Sequence, residues 1–296
     1  MIFTSLTSGA SAELIVYEPF DYGAGERVLG QTNPSTGTPW RLAAATSAGG
    51  DTTAINTASG NLTPPAGLSP AVGNSATITG AGNLSGAANR LGLPAGTGSN
   101  PPTTDEVEYF YSLLLRIDDV SNSNTGVGGF FIGFNNLGDT DSTPNPGSVA
   151  ARLQVRQDTG DTTKYNLGIV RQRAATAADI DWSGPMTPGE TLFLVASTKL
   201  VPGLQNDVSS LWINPDPSTF RDASPPPATI VDDSTATGTD LGVFSIILRQ
   251  SPAPFLTLDE LRVGTTWRDV TIPEPTTFAL LALSAVGLLP RRFRWA

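Results

Sequence analysis

Residues 106–117, EVEYFYSLLLRI, read as a β-strand, and that reading decides the fold class. Aromatic and branched side chains dominate the stretch, with Asp105 and Asp118 at its ends, and such residues fit a pleated, half-buried surface. Nowhere does the chain show a long amphipathic helical pattern. Seven more stretches of the same kind follow: 129–134 (GFFIGF), 150–157, 165–171, 191–198 (TLFLVAST), 208–214 (VSSLWIN), 241–248 and 256–263. Weaker ones lie at 14–17, 40–45, 76–79 and 89–93. Short strands bounded by Gly, Pro, Asn and Asp predict an all-β, two-sheet antiparallel sandwich. Residues 47–75 and 216–239, rich in Thr, Ala, Gly and Pro, read as long surface loops, so residues 13–271 form one domain.

Composition agrees with a β-rich exported protein: Gly 31 and Pro 24 in 296 residues mean many turns, and only 15% of residues are charged. Without cysteine there are no disulfides, so the core alone holds the fold; a domain of about 260 residues buries roughly 70–75% of its unfolded surface, which suffices. Without histidine the usual general base and the commonest transition-metal ligand are missing, which argues against Ser-His-Asp hydrolases and zinc enzymes. The net charge is −10, and leaving out Glu274 and the three tail arginines gives 14 basic and 26 acidic residues, a balance of −12. Nucleic acid is therefore not an expected partner, since phosphate binding needs a basic footprint.

The C-terminus carries Pro273-Glu274-Pro275, an apolar run at 278–289 (FALLALSAVGLL), then Arg291, Arg292 and Arg294. At about 1.5 Å per residue the run falls short of the ~20 residues that span a bilayer comfortably, so it predicts a short hydrophobic helix acting as a transient anchor. The arginines would stay on the cytoplasmic side and everything before Pro273 outside. At the other end, Ala10-Ser11-Ala12 has the small-x-small form of a signal-peptidase site, but the apolar part before it is short and no basic residue precedes it. Residues 1–12 therefore read as the remnant of a signal peptide whose true start lies upstream.

In its order of features, the segment 272–296 resembles the PEP-CTERM sorting tail of Gram-negative bacteria. The resemblance implies transient contact with the membrane and with an exosortase, a transpeptidase that releases or transfers proteins at the cell surface. A more diffuse resemblance covers residues 14–271. The opening Tyr17-Glu18-Pro19-Phe20-Asp21-Tyr22, the strand 109–116, the segment 206–215 (NDVSSLWINP) and the closing 258–264 (LDELRVG) are similar to concanavalin A-like lectin/glucanase jelly rolls of the laminin-G-like type. That likeness implies a jelly-roll sandwich that binds glycans or proteins on one sheet face, in some members with Ca²⁺, and in a minority hydrolyses glycosides.

Candidate residues follow from these chemistries. Glu106 and Glu108 share one face of a strand, but no third carboxylate follows at the spacing of the hydrolase branch, and Asp259 and Glu260, as neighbours, should point to opposite faces. Asp139 and Asp141 form the best acidic turn for a Ca²⁺ ion, with Asp232-Asp233 in another loop. Among the rings that could stack on a sugar (Trp40, Trp182, Trp212 and Trp267), Trp182, flanked by Asp179 and Asp181, is the best candidate for exposure. Trp212 is expected in the core and Trp267 at the seam closing the sandwich. The sequence thus predicts an exported, surface-sorted protein whose domain is a non-catalytic glycan- or protein-binding, or structural, module that requires no cofactor, with Ca²⁺ as an optional ligand and a polysaccharide or envelope component as partner. A glycoside hydrolase or lyase of the same fold is the second reading, and a passive glycosylated matrix protein the third.

Overall fold

The computed structural model describes residues 14–44, 55–79, 88–138, 147–172, 176–234, 240–249 and 254–271. Among these residues fourteen strands run in chain order: β1 (Leu14–Glu18), β2 (Trp40–Ala44), β3 (Ile55–Ala58), β4 (Ser75–Ile78), β5 (Ala88–Gly92), β6 (Val107–Asp119), β7 (Gly129–Asn135), β8 (Val149–Gln157), β9 (Tyr165–Val170), β10 (Thr191–Leu200), β11 (Val208–Ile213), β12 (Ile230–Asp232), β13 (Ser245–Arg249) and β14 (Phe255–Gly264). They form two antiparallel sheets. The larger has the order β12-β11-β10-β6-β14-β4-β3, with β1 also paired to β14, and the smaller has the order β2-β5-β13-β7-β8-β9.

Alternation along each strand builds the core between the sheets. Tyr109, Tyr111, Leu113, Leu115 and Ile117 of β6 face inward and meet Phe131, Phe134, Leu153 and Leu167 of the smaller sheet. The Tyr111 hydroxyl crosses the gap and donates to the Ala151 carbonyl at 2.7 Å, while its ring meets Phe134 edge-on at 5.1 Å. The other face of β6 is apolar too. Phe110 and Leu114 join Phe193, Val195 and Trp212 on the outside of the larger sheet, where Leu62, Phe220, Trp267 and Val270 cover them.

Much of that cover comes from a short helix, α1 (Trp267–Thr271). Trp267 lies over Trp212 with ring centroids 5.2 Å apart and donates through Nε1 to the Thr219 carbonyl at 2.9 Å. Ser112 of β6 donates to the Val270 carbonyl at 2.6 Å and anchors the helix to the sheet. Trp267 therefore roofs the outside of the larger sheet and does not close the seam of the sandwich, and Trp212 is buried beneath that roof, outside the core between the sheets. The run at 278–289, expected as a hydrophobic helix, lies outside the described residues, as do Pro273, Glu274, Pro275 and the three tail arginines. Among the described residues no helix is long and apolar enough to cross a membrane.

The two segments expected as loops each hold a strand. Ile55–Ala58 pairs with β4, and Ile230–Asp232 pairs with β11. Both strands are short and flank a single neighbour in a sheet path, so their sequences carry little alternation to detect. Conversely, the strand expected at 241–248 narrows to Ser245–Arg249, while Val243 instead makes an isolated bridge to Ser99.

Candidate functional site

The carboxylates that could support hydrolysis are engaged in other work. Glu106 precedes β6 and forms an ion pair with Lys199, while Glu108 stands opposite Lys199 in the register of β6 and β10. Burial raises the Glu108 pKa, against the lowering influence of Ser197 and Lys199. Both acids answer to one lysine.

Asp259 and Glu260 depart from the expected alternation. Glu260 has φ 53°, in the left-handed region, and the register of β14 against β6 slips between Asp259 and Arg262. A β-bulge inserts an unpaired residue, so neighbouring side chains can share a face. Here both acids lie with Arg262 on the outside of the larger sheet. Asp259 accepts from the Leu62 amide at 3.0 Å and from the Glu260 amide at 2.7 Å. Glu260 accepts from the Tyr17 hydroxyl at 2.9 Å and the Val72 amide at 2.9 Å, and it contacts Arg262 at 3.3 Å. Burial pushes the Asp259 pKa up to about 8. The adjoining slot, lined by Leu68, Leu114, Phe193, Glu260 and Arg262, holds only about 30 Å³ and is too small for a sugar ring. The pair clamps the segment 62–72 onto the sheet.

The expected ligand-binding trio is dispersed in role. Trp182 is half-buried: it bridges Gly168 of β9, donates through Nε1 to the Ala177 carbonyl at 3.1 Å, and carries the Arg156 guanidinium 4.2 Å from its ring centroid. Asp179 accepts from the Thr176 amide at 2.7 Å and so caps its own turn, while Asp181 is exposed. Trp40 is buried and donates to Glu18 at 2.8 Å, so it offers no ring to a ligand. Asp139 and Asp141 lie outside the described residues. Asp232 is buried and accepts from the Arg171 amide at 2.6 Å. Among the described residues no group of three or more Asp and Glu is placed to hold a metal ion.

Cation-bearing side chains gather instead on the outside of the smaller sheet. Its six strands contain five arginines, Arg41, Arg90, Arg152, Arg156 and Arg249, and no aspartate or glutamate. Arg41, Arg90 and Arg249 share the parity of the outer-face residues Ala43, Ala88 and Ile247, while Arg152 and Arg156 alternate with the inward Leu153 and Val155 and reach the face of Val149 through the irregularity at Ala151, which has φ 45°. Arg41 stands directly opposite Arg90, which stands opposite Ile247. The Arg152 and Arg249 guanidinium groups lie 4.8 Å and 4.5 Å from the centroid of the same ring, Phe130. Arg156 donates to Asn166 at 3.2 Å as it covers Trp182. Arg41 is exposed, Arg152, Arg156 and Arg249 are half-buried, and Arg90 is buried. Burial lowers the pKa of Arg249, and of Arg156 despite the opposing influence of Asp158. Arg152 also donates through Nε to the Val149 carbonyl at 3.0 Å, so its guanidinium is held by the strand as well as by the ring. The residues expected from sequence to form a site are tryptophans and acids, and these arginines are not among them. The signal was the absence of acidic residues from these strands in a chain that is acidic as a whole.

No protein-family model matches this chain, and no curated protein matches it. Similar solved structures include a protein of unknown function from Shewanella oneidensis MR-1, at 11% identity over 87% of this chain and 89% of that one, TM-score 0.38. The Emp47p carbohydrate recognition domain is 10% identical over 87% of this chain and 99% of that one, TM-score 0.38. The botulinum neurotoxin serotype G binding domain is 5% identical over 92% of this chain and 51% of that one, TM-score 0.42. These are likenesses of outline and assign no residue a role.

Proposed function

We propose that this chain is an exported, surface-sorted β-sandwich that serves as a non-catalytic glycan-binding module of the cell envelope or extracellular matrix. The observation that carries the reading is the difference between the outer faces of the two sheets. The larger sheet is roofed by α1, the segment 62–72 and Phe220, whereas the smaller sheet, whose outer apolar cluster is also buried, carries among the described residues half-buried guanidinium groups seated on Phe130 and Trp182. Of the two rings Trp182 is the half-exposed one, and a ring flanked by a fixed hydrogen-bond donor is what a sugar requires of a protein surface. The tail at 272–296 supports export and display, where many weak contacts to a repeating ligand add up. A non-catalytic role is supported by the engagement of Glu106 and Glu108 with Lys199 and of Asp259 and Glu260 with backbone amides.

The test is a broad glycan array probed with the full chain in mild detergent, first with calcium and then with EDTA. Saturable binding is the expected result, and loss in EDTA would direct attention to the acidic turns. Silence in both conditions would overturn the reading in favour of a protein partner or a purely structural role. Release of reducing ends from any polysaccharide, lost in Glu106→Gln or Glu108→Gln, would replace it with the hydrolase.

A further inference from the structure

We propose that residues 60–73, which join β3 to β4, form a hinged lid over the outer face of the larger sheet, released when Asp259 ionises. The segment leaves and rejoins the sheet at paired residues, Ala58 and Ser75, and so has the closed base of a loop that moves as a unit. Gly60 and Gly73, at φ 87° and 79°, stand at its two ends as hinges. Just inside them two backbone amides tie the segment down: Leu62 donates to Asp259 at 3.0 Å and Val72 to Glu260 at 2.9 Å. Asn61 donates to the Ala71 carbonyl at 3.0 Å, so the two arms are tied to each other as well. Packing beneath the lid is incomplete. Leu62 is buried, but Leu68 is half-buried and Val72 is 51% exposed. Spaces of about 30 and 240 Å³ both have Leu68 and Phe193 among their walls, so lifting the lid merges them and uncovers Phe193 and Leu114.

The gate follows from what surrounds Asp259. Its side chain is fully buried, and among the described residues its hydrogen bonds come from two backbone amides and not from a cation. On β14 its charged neighbours are Glu260 and Arg262, which contact each other at 3.3 Å, and from β1 Tyr17 donates to Glu260. The lid brings no ionisable side chain, β4 brings none, and β6 sets Leu114 opposite Asp259. On α1, Asp269 accepts from the Thr265 and Thr266 amides, and Arg268 is exposed. Beneath a closed lid an ionised Asp259 is therefore a desolvated charge beside a like charge, and opening admits water to it. Burial raises its pKa to about 8 against the lowering influence of the Leu62 and Glu260 amides, and exposure returns it toward 3.8. Between those values opening releases a proton. The opening constant then rises by up to about tenfold per pH unit and levels off above about pH 8.

Hydrogen exchange of the full chain in mild detergent reads the lid through the Leu62 and Val72 amides, once the intrinsic pH dependence of exchange is divided out. The two should open together and well before the amides of β6, with an opening constant that climbs close to tenfold from pH 6 to 7 and flattens above about 8. The chain has no cysteine, so Leu114→Cys places a single thiol beneath the lid. Its alkylation rate, divided by that of a free thiol at the same pH, should follow the same curve. Asp259→Asn should abolish the slope, while Glu260→Gln, which loosens the Val72 anchor, should raise opening at every pH and keep the slope. Thermal melts establish that the variants fold, and exchange in the wild type decides the matter without them. Exchange of Leu62 and Val72 only at the rate of the β6 amides makes the opening global and overturns the lid. A flat profile from pH 6 to 8, or an unchanged slope in folded Asp259→Asn, overturns Asp259 as its gate.

Discussion

Asp259 and Glu260 are consecutive in the chain and lie on the same face of the sheet, because the bulge between them cancels the alternation of β14. The bulge is also where the free edge of β14 changes partner, from β4 at Leu256–Leu258 to β1 at Leu261–Gly264. Asp259 has an ordinary value of 3.8, as it would in the unfolded chain, and about 8 in the folded protein, where desolvation dominates. Between those values the folded state holds a proton that the unfolded state has released. The contribution is therefore fully present below about pH 4 and is lost as pH rises through about 8. Asp259→Asn should flatten this fall and gain on the wild type at high pH. Urea unfolding from pH 5 to 9 measures it; parallel profiles for the two proteins would rule the linkage out.

Glu18 is a buried acceptor shared by the Phe20 amide at 2.8 Å, the Tyr22 hydroxyl at 2.6 Å, Asn33 Nδ2 at 3.1 Å and Trp40 Nε1 at 2.8 Å. An amide in its place has one accepting oxygen and turns a donating nitrogen toward other donors. Glu18→Gln should cost about 1–3 kcal/mol, read from the urea midpoint. An unchanged midpoint would show that water replaces these bonds without loss.

Trp267→Ala should destabilise the domain by about 3–5 kcal/mol, since it empties the roof over Trp212, and Trp267→Phe should cost less. Equilibrium denaturation compares them. Equal losses would assign the effect to the Thr219 hydrogen bond, which both variants lack, and not to packing.

Removing residues 272–296 should send the exported domain to the medium or hold it in the periplasm, as fractionation of cells would show. Unchanged display at the surface would end the sorting reading.

Strand content was legible because the central strands are apolar on both faces: Tyr109–Leu115 needs no fine reading of period to be recognised. Residues 55–58 (INTA) and 230–232 (IVD) were not, since strands this short are fixed by their neighbours and not by their own pattern. The bulge at Glu260 was equally hidden, because a non-glycine residue at positive φ leaves no mark in sequence, and with it went the shared face of two acids. Trp267 and Trp182 show the same limit in side chains. Their size was plain, but which surface each ring would cover depends on contacts 48 residues away for Trp267 (Thr219) and on the cross-strand neighbours Arg156 and Gly168 for Trp182. The arginine face could have been read directly by sorting charges by strand.

The placement of β14 has a mechanical meaning. It is hydrogen-bonded to β6 on one edge and to β4 and β1 on the other, and α1 follows it directly. Tension applied at residue 271 therefore enters the sandwich through an interior strand, and it must strain two sets of ladder bonds together, so the domain resists being peeled open one strand at a time.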